Sequence, residues 1–285
     1  MPLKLCGGHP KKAIIYGRVV EDFRHSGETT RIFCGSATDD YFLRGPSAGR
    51  FYKQAESIAA GVVHVEYPAF VAEFIATFAL VFIGAGSILM DGSTGGKLGL
   101  GGIALAHGLA LLVMIYAIGH VSGGHVNPAV SFSMWLTGRM PTAKTAGYVV
   151  SQLGGAVVGA AALATLFPGA ANFGVPALAA SVSVWQAVLL EAITTFFLVF
   201  VIFGTAVDTR APKGVYGAAI GLTVAADILA IGPLTGAAMN PARAFGPALL
   251  SGLWASHVVY WAGPLLGAAA AALVYSKVIL KTTSK

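Results

Sequence analysis

Charge is what this 285-residue chain has least of: 11% of its residues are Asp, Glu, Lys or Arg, against about 25% in an average soluble domain. With 56% hydrophobic residues and a mean hydropathy of +0.75, a soluble protein built round one large core is excluded. The scarcity is uneven. Residues 1–66 hold 9 of the 18 Lys and Arg and 7 of the 12 Asp and Glu, which leaves 9 and 5 for the other 219 residues. Two different materials join near Glu66, and the second has room for about six membrane spans of roughly 20 residues each.

Cysteine is nearly absent too. Cys6 and Cys34 are the only two, both lie in the polar front segment, and neither stands at a metal-ligand spacing. No disulfide framework or zinc site follows, and no cofactor is implied. No nucleotide-binding loop occurs, and no nucleophile, base and orienting group come together, which speaks against an enzyme. The net charge of +6 does not point to nucleic acid, because the basic residues after Glu66 are scattered singly. Their placement fits the positive-inside bias of a membrane protein.

The front segment, 1–66, also lacks the continuous apolar run of a signal peptide, since KKAIIYGRVVEDF breaks after a few apolar residues. It lacks a sustained helical or strand period. It is expected to be a flexible cytoplasmic extension, or else sequence upstream of the true start. No methionine falls between Met1 and Met90, so a shorter product would need another start codon, with Val62, Val63 and Val65 as candidates.

What is present is a series of apolar runs. They predict spans at about 67–90, 101–120, 143–166, 184–206, 214–232 and 256–279. Between the second and third lies VSGGHVNPAVSFSMWLTGRM, and between the fifth and sixth GPLTGAAMNPARAFGPALLSGLW. Both are too apolar for ordinary loops and too short to cross, so they read as re-entrant half-helices. Arg139, Lys144, Arg210, Lys213, Lys277, Lys281 and Lys285 all fall on one side, the expected cytoplasmic side, which also holds both termini. The segment 167–183 has no charge at all.

The chain repeats itself. VAEFIATFALVFIG at 71–84 matches LLEAITTFFLVFVI at 189–202, pairing Glu73 with Glu191, and two Asn-Pro-Ala triplets stand 113 residues apart, at Asn127-Pro128-Ala129 and Asn240-Pro241-Ala242. Three spans per copy force the second copy to be inverted, which places a site near the membrane midplane. The expected fold is therefore an all-α membrane protein of six spans and two half-helices. The channel domain covers 67–280, with repeats at about 67–166 and 184–279, and 281–285 forms a short tail.

Each triplet opens a half-helix, Asn as N-cap and Pro at the first helical position. Alone, a triplet is as well explained by a capped turn. In an inverted repeat the two N-termini meet, and both amides turn donors toward one point in a field that repels cations. Water arriving there would accept from both asparagines and point its hydrogens away, interrupting proton hopping. The Gly- and Ala-rich stretches Ser122–Val126 and Leu234–Met239 are expected to be unwound, with carbonyls lining the path.

HVSGGHVNPAVSF and MNPARAFGPAL resemble the signature segments of the aquaporin (major intrinsic protein) family, over about residues 67–280. The resemblance implies a right-handed bundle with a pore in each subunit, a homotetramer in the lipid bilayer, and water and small neutral solutes as the transported species. It also implies a constriction made by His107, Ile228, Ala237 and Arg243. Read alone, His107 in ALAHGLALL is a histidine satisfied inside the bundle; the resemblance moves it to the pore, where its imidazole would offer one neutral donor or acceptor. A lone intramembrane arginine such as Arg243 is costly and points to function.

The quartet is similar to that of plant vacuolar-membrane aquaporins and of the animal aquaporins that pass ammonia and hydrogen peroxide. Ala237 stands where that animal group tends to carry Cys. Positions that distinguish glycerol facilitators are here Ala244, Ala248 and Tyr260-Trp261, all of the water-channel type. His125 would line the cytoplasmic vestibule, and His120 and His257 would sit at helix ends or interfaces. Glu73 and Glu191 would hold the re-entrant loops through their backbone amides, and Asp227 would be structural, orienting a loop or polarising the pore wall.

The leading expectation is a passive channel for water, with ammonia or hydrogen peroxide, that excludes protons and ions. A glycerol or urea facilitator and a coupled secondary transporter are the alternatives. The plasma membrane is expected ahead of an organelle membrane.

Overall fold

The computed structural model describes residues 67–280, together with the backbone of four short strands before them. The chain divides between Glu66 and Tyr67 into two units. In the first, β1 (Ala13–Ile15), β2 (Arg18–Val20), β3 (Thr30–Phe33) and β4 (Asp40–Leu43) pair in sequence order as an antiparallel meander. The sequence shows no sustained strand period over this segment. The runs AII, RVV, TRIF and DYFL favour strands by their β-branched and aromatic residues, yet each is too short to show a period. The flexibility expected of the extension, the candidate starts at Val62, Val63 and Val65, and the tail 281–285 lie outside the described residues.

The second unit has no strand among its described residues. Its helices are α1 (Tyr67–Ser93), α2 (Gly99–Ser122), α3 (Pro128–Leu136), α4 (Thr142–Leu166), α5 (Val184–Ile202), α6 (Tyr216–Thr235), α7 (Pro241–Ser251) and α8 (Val259–Val274). A π-helical turn extends α5 over Phe203–Val207, and another extends α8 over Tyr275–Ile279. Six of these helices are long and apolar enough to cross a membrane, while α3 and α7 are the half-helices. The fifth span runs further than the sequence predicts, to Thr235. Pro233 sits in its last turn and does not stop it; the left-handed Gly236 does, donating its N–H to Gly232 O at 2.8 Å.

The two halves exchange parts. Helix α1 packs on α4 and α5 on α8, the same pairing in each repeat, whereas α3 rests against α8 and α7 against α4 of the opposite half. Glycine permits the closest of these contacts. A Cβ on Gly155 would lie 2.2 Å from Phe74 O, and one on Gly267 would lie 2.1 Å from Ala192 O. Gly159 and Gly263 extend the same two seams. These small residues thus serve helix packing within the chain, where lipid tails supply no hydrophobic drive and close approach supplies dispersion instead. Outward, each span exposes large apolar side chains, among them Leu105, Leu109, Ile193, Phe197 and Leu222, the surface a bilayer or a neighbouring subunit covers.

Candidate pore

Two buried glutamates hold the unwound segments in place. Glu73, fully buried on α1, accepts from Ser122 Oγ (2.7 Å), the backbone N–H groups of His125 (2.9 Å) and Val126 (2.6 Å), and Gln152 Nε2 (2.8 Å). Glu191 on α5 repeats the arrangement with Thr235 Oγ1 (2.7 Å) and the N–H groups of Ala238 (3.0 Å) and Met239 (2.7 Å). Tyr148 and Tyr260 close each motif, donating to Ser122 O and Thr235 O at 2.6 and 2.8 Å. A non-helical backbone at membrane depth would otherwise leave amides without partners, at a cost of several kcal/mol each, on the order of that for any buried polar group. The unwound stretches are shorter than predicted, 123–126 and 236–239, because Ser122 and Thr235 remain in the ends of α2 and α6.

The residue before each asparagine takes a left-handed backbone, φ 54° at Val126 and 50° at Met239. Neither is glycine, and a β-branched residue there is strained. The twist turns each carbonyl toward the opposite repeat: Asn127 Nδ2 donates to Met239 O (2.9 Å) and Asn240 Nδ2 to Val126 O (2.8 Å). The asparagine oxygens cap the half-helices, Asn127 Oδ1 accepting from Ala129 N and Asn240 Oδ1 from Ala242 N and Arg243 N. One hydrogen of each amide is thus used within the protein, and the second remains for the cavity. Pro128 and Pro241 are buried at the first helical positions, followed by the buried Ala129 and Ala242.

One cavity is lined by His107, Ile228, Ala237 and Arg243 together with Asn127, Asn240 and His125. A second hollow continues from His125 past Met134 and Tyr216. Arg243 is only 2% exposed. Its Nη1 donates to Gly174 O (2.8 Å) and its Nη2 to His107 Nε2 (3.2 Å), while Nε has no partner among the described residues.

His107 departs from its expected behaviour. Its Nδ1 donates to Ile103 O (2.9 Å), so Nε2 is the acceptor for Arg243. Both ring nitrogens therefore have partners within the protein. Ile228 and Ala237 complete an apolar wall.

Asp227 is buried on α6, its Oδ2 has no hydrogen-bond partner among the described residues, and it does not line the cavity. Val224 and Ile228 of the same helix do line it. His120 lies in the last turn of α2, and His257 accepts from Trp261 Nε1 at 3.2 Å. Among the described residues no group of three His, Cys, Asp or Glu could hold a metal ion.

Sequence reasoning missed several partners. Gln152 Nε2 also donates to Ser131 Oγ (3.0 Å), which meets His125 Nδ1 at 3.0 Å. Gly174, the anchor of Arg243, carries no pattern that singles it out. The repeat offset of 113, however, pairs Ser122 with Thr235, and an offset of 112 pairs Tyr148 with Tyr260.

Six spans, two half-helices bonded tip to tip and a cavity lined by both tips define a polytopic channel fold. Comparison with known proteins gives it a family. Residues 62–275 match the model of the major intrinsic protein family, and the chain belongs to that family. Among its relatives, Aquaporin TIP4-4 of Zea mays is 47% identical over 215 residues, covering 73% of this chain and 84% of that protein. Aquaporin NIP1-1 of Zea mays is 40% identical over 231 residues, covering 81% of each. The crystal structure of the aquaglyceroporin from Plasmodium falciparum superposes with a TM-score of 0.71 at 27% identity, covering 76% of this chain and 98% of that one. The chain is an integral multi-pass membrane protein of a family of transmembrane channels for water and small solutes, and not an enzyme.

Proposed function

We propose that the protein is a passive channel for water that also passes small neutral solutes such as ammonia and hydrogen peroxide, and excludes protons and ions. The observation carrying this reading is the cavity lining: donors from Asn127, Asn240 and Arg243, set among the apolar Ile228 and Ala237. A water between the asparagines accepts from both free amide hydrogens, so its own hydrogens point along the pore and proton hopping is broken. Cations meet Arg243 and two helix N-termini, with no carboxyl facing them.

The same geometry disfavours a coupled transporter. Glu73 and Glu191 are occupied by the loop amides, and neither lines the cavity. The constriction is His107, Ile228, Ala237 and Arg243. With the His107 nitrogens occupied, it demands few hydrogen bonds of a solute and leaves room for molecules somewhat larger than water. The assembly is a homotetramer with a pore in each protomer and both termini on the cytoplasmic side.

The test is stopped-flow light scattering on proteoliposomes, with water, ammonia, hydrogen peroxide and glycerol measured separately and proton leak followed by an internal dye. Rapid, non-saturating flux of the first three without proton leak is expected. Flux that saturates or needs an ion gradient would overturn the channel reading. Glycerol permeability equal to that of water would overturn the constriction as assigned and favour a glycerol facilitator.

A further inference from the structure

We infer that Gly84, on α1 and outside the cavity lining, is a specificity-determining positioning residue: the absence of a side chain there sets how far His107 stands back from the pore. The inference rests on the proposed constriction. A Cβ built on Gly84 would lie 2.5 Å from Cδ2, 2.7 Å from Nε2 and 2.9 Å from Cγ of His107. Real Cβ atoms do not approach so closely, so something would have to move.

Neither helix can recede. Behind α1 stands α4, where Gly155 already brings its backbone against Phe74 O, and a Cβ on Gly159 would be 2.9 Å from Phe78 O. Behind α2 stands α6, where Cβ atoms on Gly108 and Gly221 would lie 2.5 and 2.4 Å from each other's carbonyl oxygens. Interiors packed this closely do not yield continuously. The imidazole is the part that can rotate, and its open side is the cavity it lines.

Rotation has a second effect. It withdraws Nε2 from Arg243 Nη2, one of the two anchors that hold the guanidinium. The other anchor, the Gly174 carbonyl, is backed by the next residue of α1: a Cβ on Gly174, whose φ is +74°, would lie 2.7 Å from Ala85 Cβ. Two consecutive residues, Gly84 and Ala85, therefore support both groups that fix Arg243. A larger residue at 84 moves the ring and the guanidinium into the aperture together.

The experiment compares wild type, Gly84→Ala, His107→Ala and the double variant in proteoliposomes, measuring water by light scattering and hydrogen peroxide by an enclosed peroxide-reactive dye. His107→Ala is expected to raise the peroxide-to-water ratio. Gly84→Ala is expected to lower it about tenfold, the scale on which one methyl group discriminates in a close-fitting site, and to have no further effect in the His107→Ala background.

An unchanged ratio in Gly84→Ala, or an equal fall with and without His107, overturns the inference while leaving the constriction intact. A ratio unmoved by His107→Ala removes the constriction, and the inference with it. Should Gly84→Ala fail to assemble, recovery of assembly in the double variant supports the contact, and failure of both overturns it.

Discussion

Asn127 and Asn240 are locked together through each other's preceding residue: the amide of Asn127 holds Met239 O and the amide of Asn240 holds Val126 O. The two half-helix tips, one from each repeat, are thereby one unit. Removing either asparagine loosens both. Asn240→Ala frees two capped N–H groups, Asn127→Ala one, and a lost N-cap costs about 1 kcal/mol. Thermal scanning in detergent is expected to show a lower melting temperature for both, with Asn240→Ala the more affected.

Glu191 holds its loop with two backbone amides and a hydroxyl. Glu191→Leu leaves those donors buried and unpaired, at about 1–3 kcal/mol each, and is expected to abolish folded protein in fluorescence-detected gel filtration. Glu191→Gln, which keeps one accepting oxygen, should lie between. A monodisperse Glu191→Leu protein with normal water flux would contradict this role.

The α5–α8 seam admits nothing larger than glycine at 267. Gly267→Ala drives a methyl into Ala192 O, and overpacking of this kind costs about 1–3 kcal/mol or more. Gly101→Ala meets open space on α2 and gains helix propensity. Denaturation in mixed micelles should therefore show Gly267→Ala destabilised and Gly101→Ala neutral or slightly stabilised.

Ala237 lines the cavity and brings no thiol to it. Mercury should leave water flux of the Cys6→Ser/Cys34→Ser protein unchanged and should block an Ala237→Cys version of it. Block without the introduced thiol would show that another site controls the pore.

Outside the spans, Asp208 accepts from the side chain of Arg210 (Nη2 at 2.5 Å), from its backbone N–H, and from Tyr275 Oη. The Arg210 hydrogen bonds hold its carboxyl below the usual carboxylate range. A folded-state value below the unfolded one contributes stability that is present above the unfolded carboxylate range and is lost as pH falls toward the folded value. Asp208→Asn should lower the melting temperature at neutral pH, and its difference from wild type should shrink only in strong acid. A difference that shrinks between pH 6 and 8 would exclude this carboxylate as its source.

Much of this architecture is legible in the sequence. The spans follow from apolar runs, and the half-helices from Asn-Pro signals inside segments too short to cross. The inverted relation follows from an odd number of spans per repeat. Each is a local property of the chain, set by the length of hydrocarbon to be crossed and by the missing amide hydrogen of proline. The strands before residue 66 are not legible, because three or four residues carry no period.

The sequence by itself determined that the chain spans a membrane in two inverted halves, with Arg243 among the few charges left inside. Only the tertiary structure decided what those residues offer a solute. It occupied both nitrogens of His107, with Ile103 and Arg243, and left Asp227 off the cavity. It also placed Gly84 against the His107 ring. The reason is physical: a hydrogen bond or a steric limit between residues far apart in the chain depends on how helices pack, and no local pattern records it.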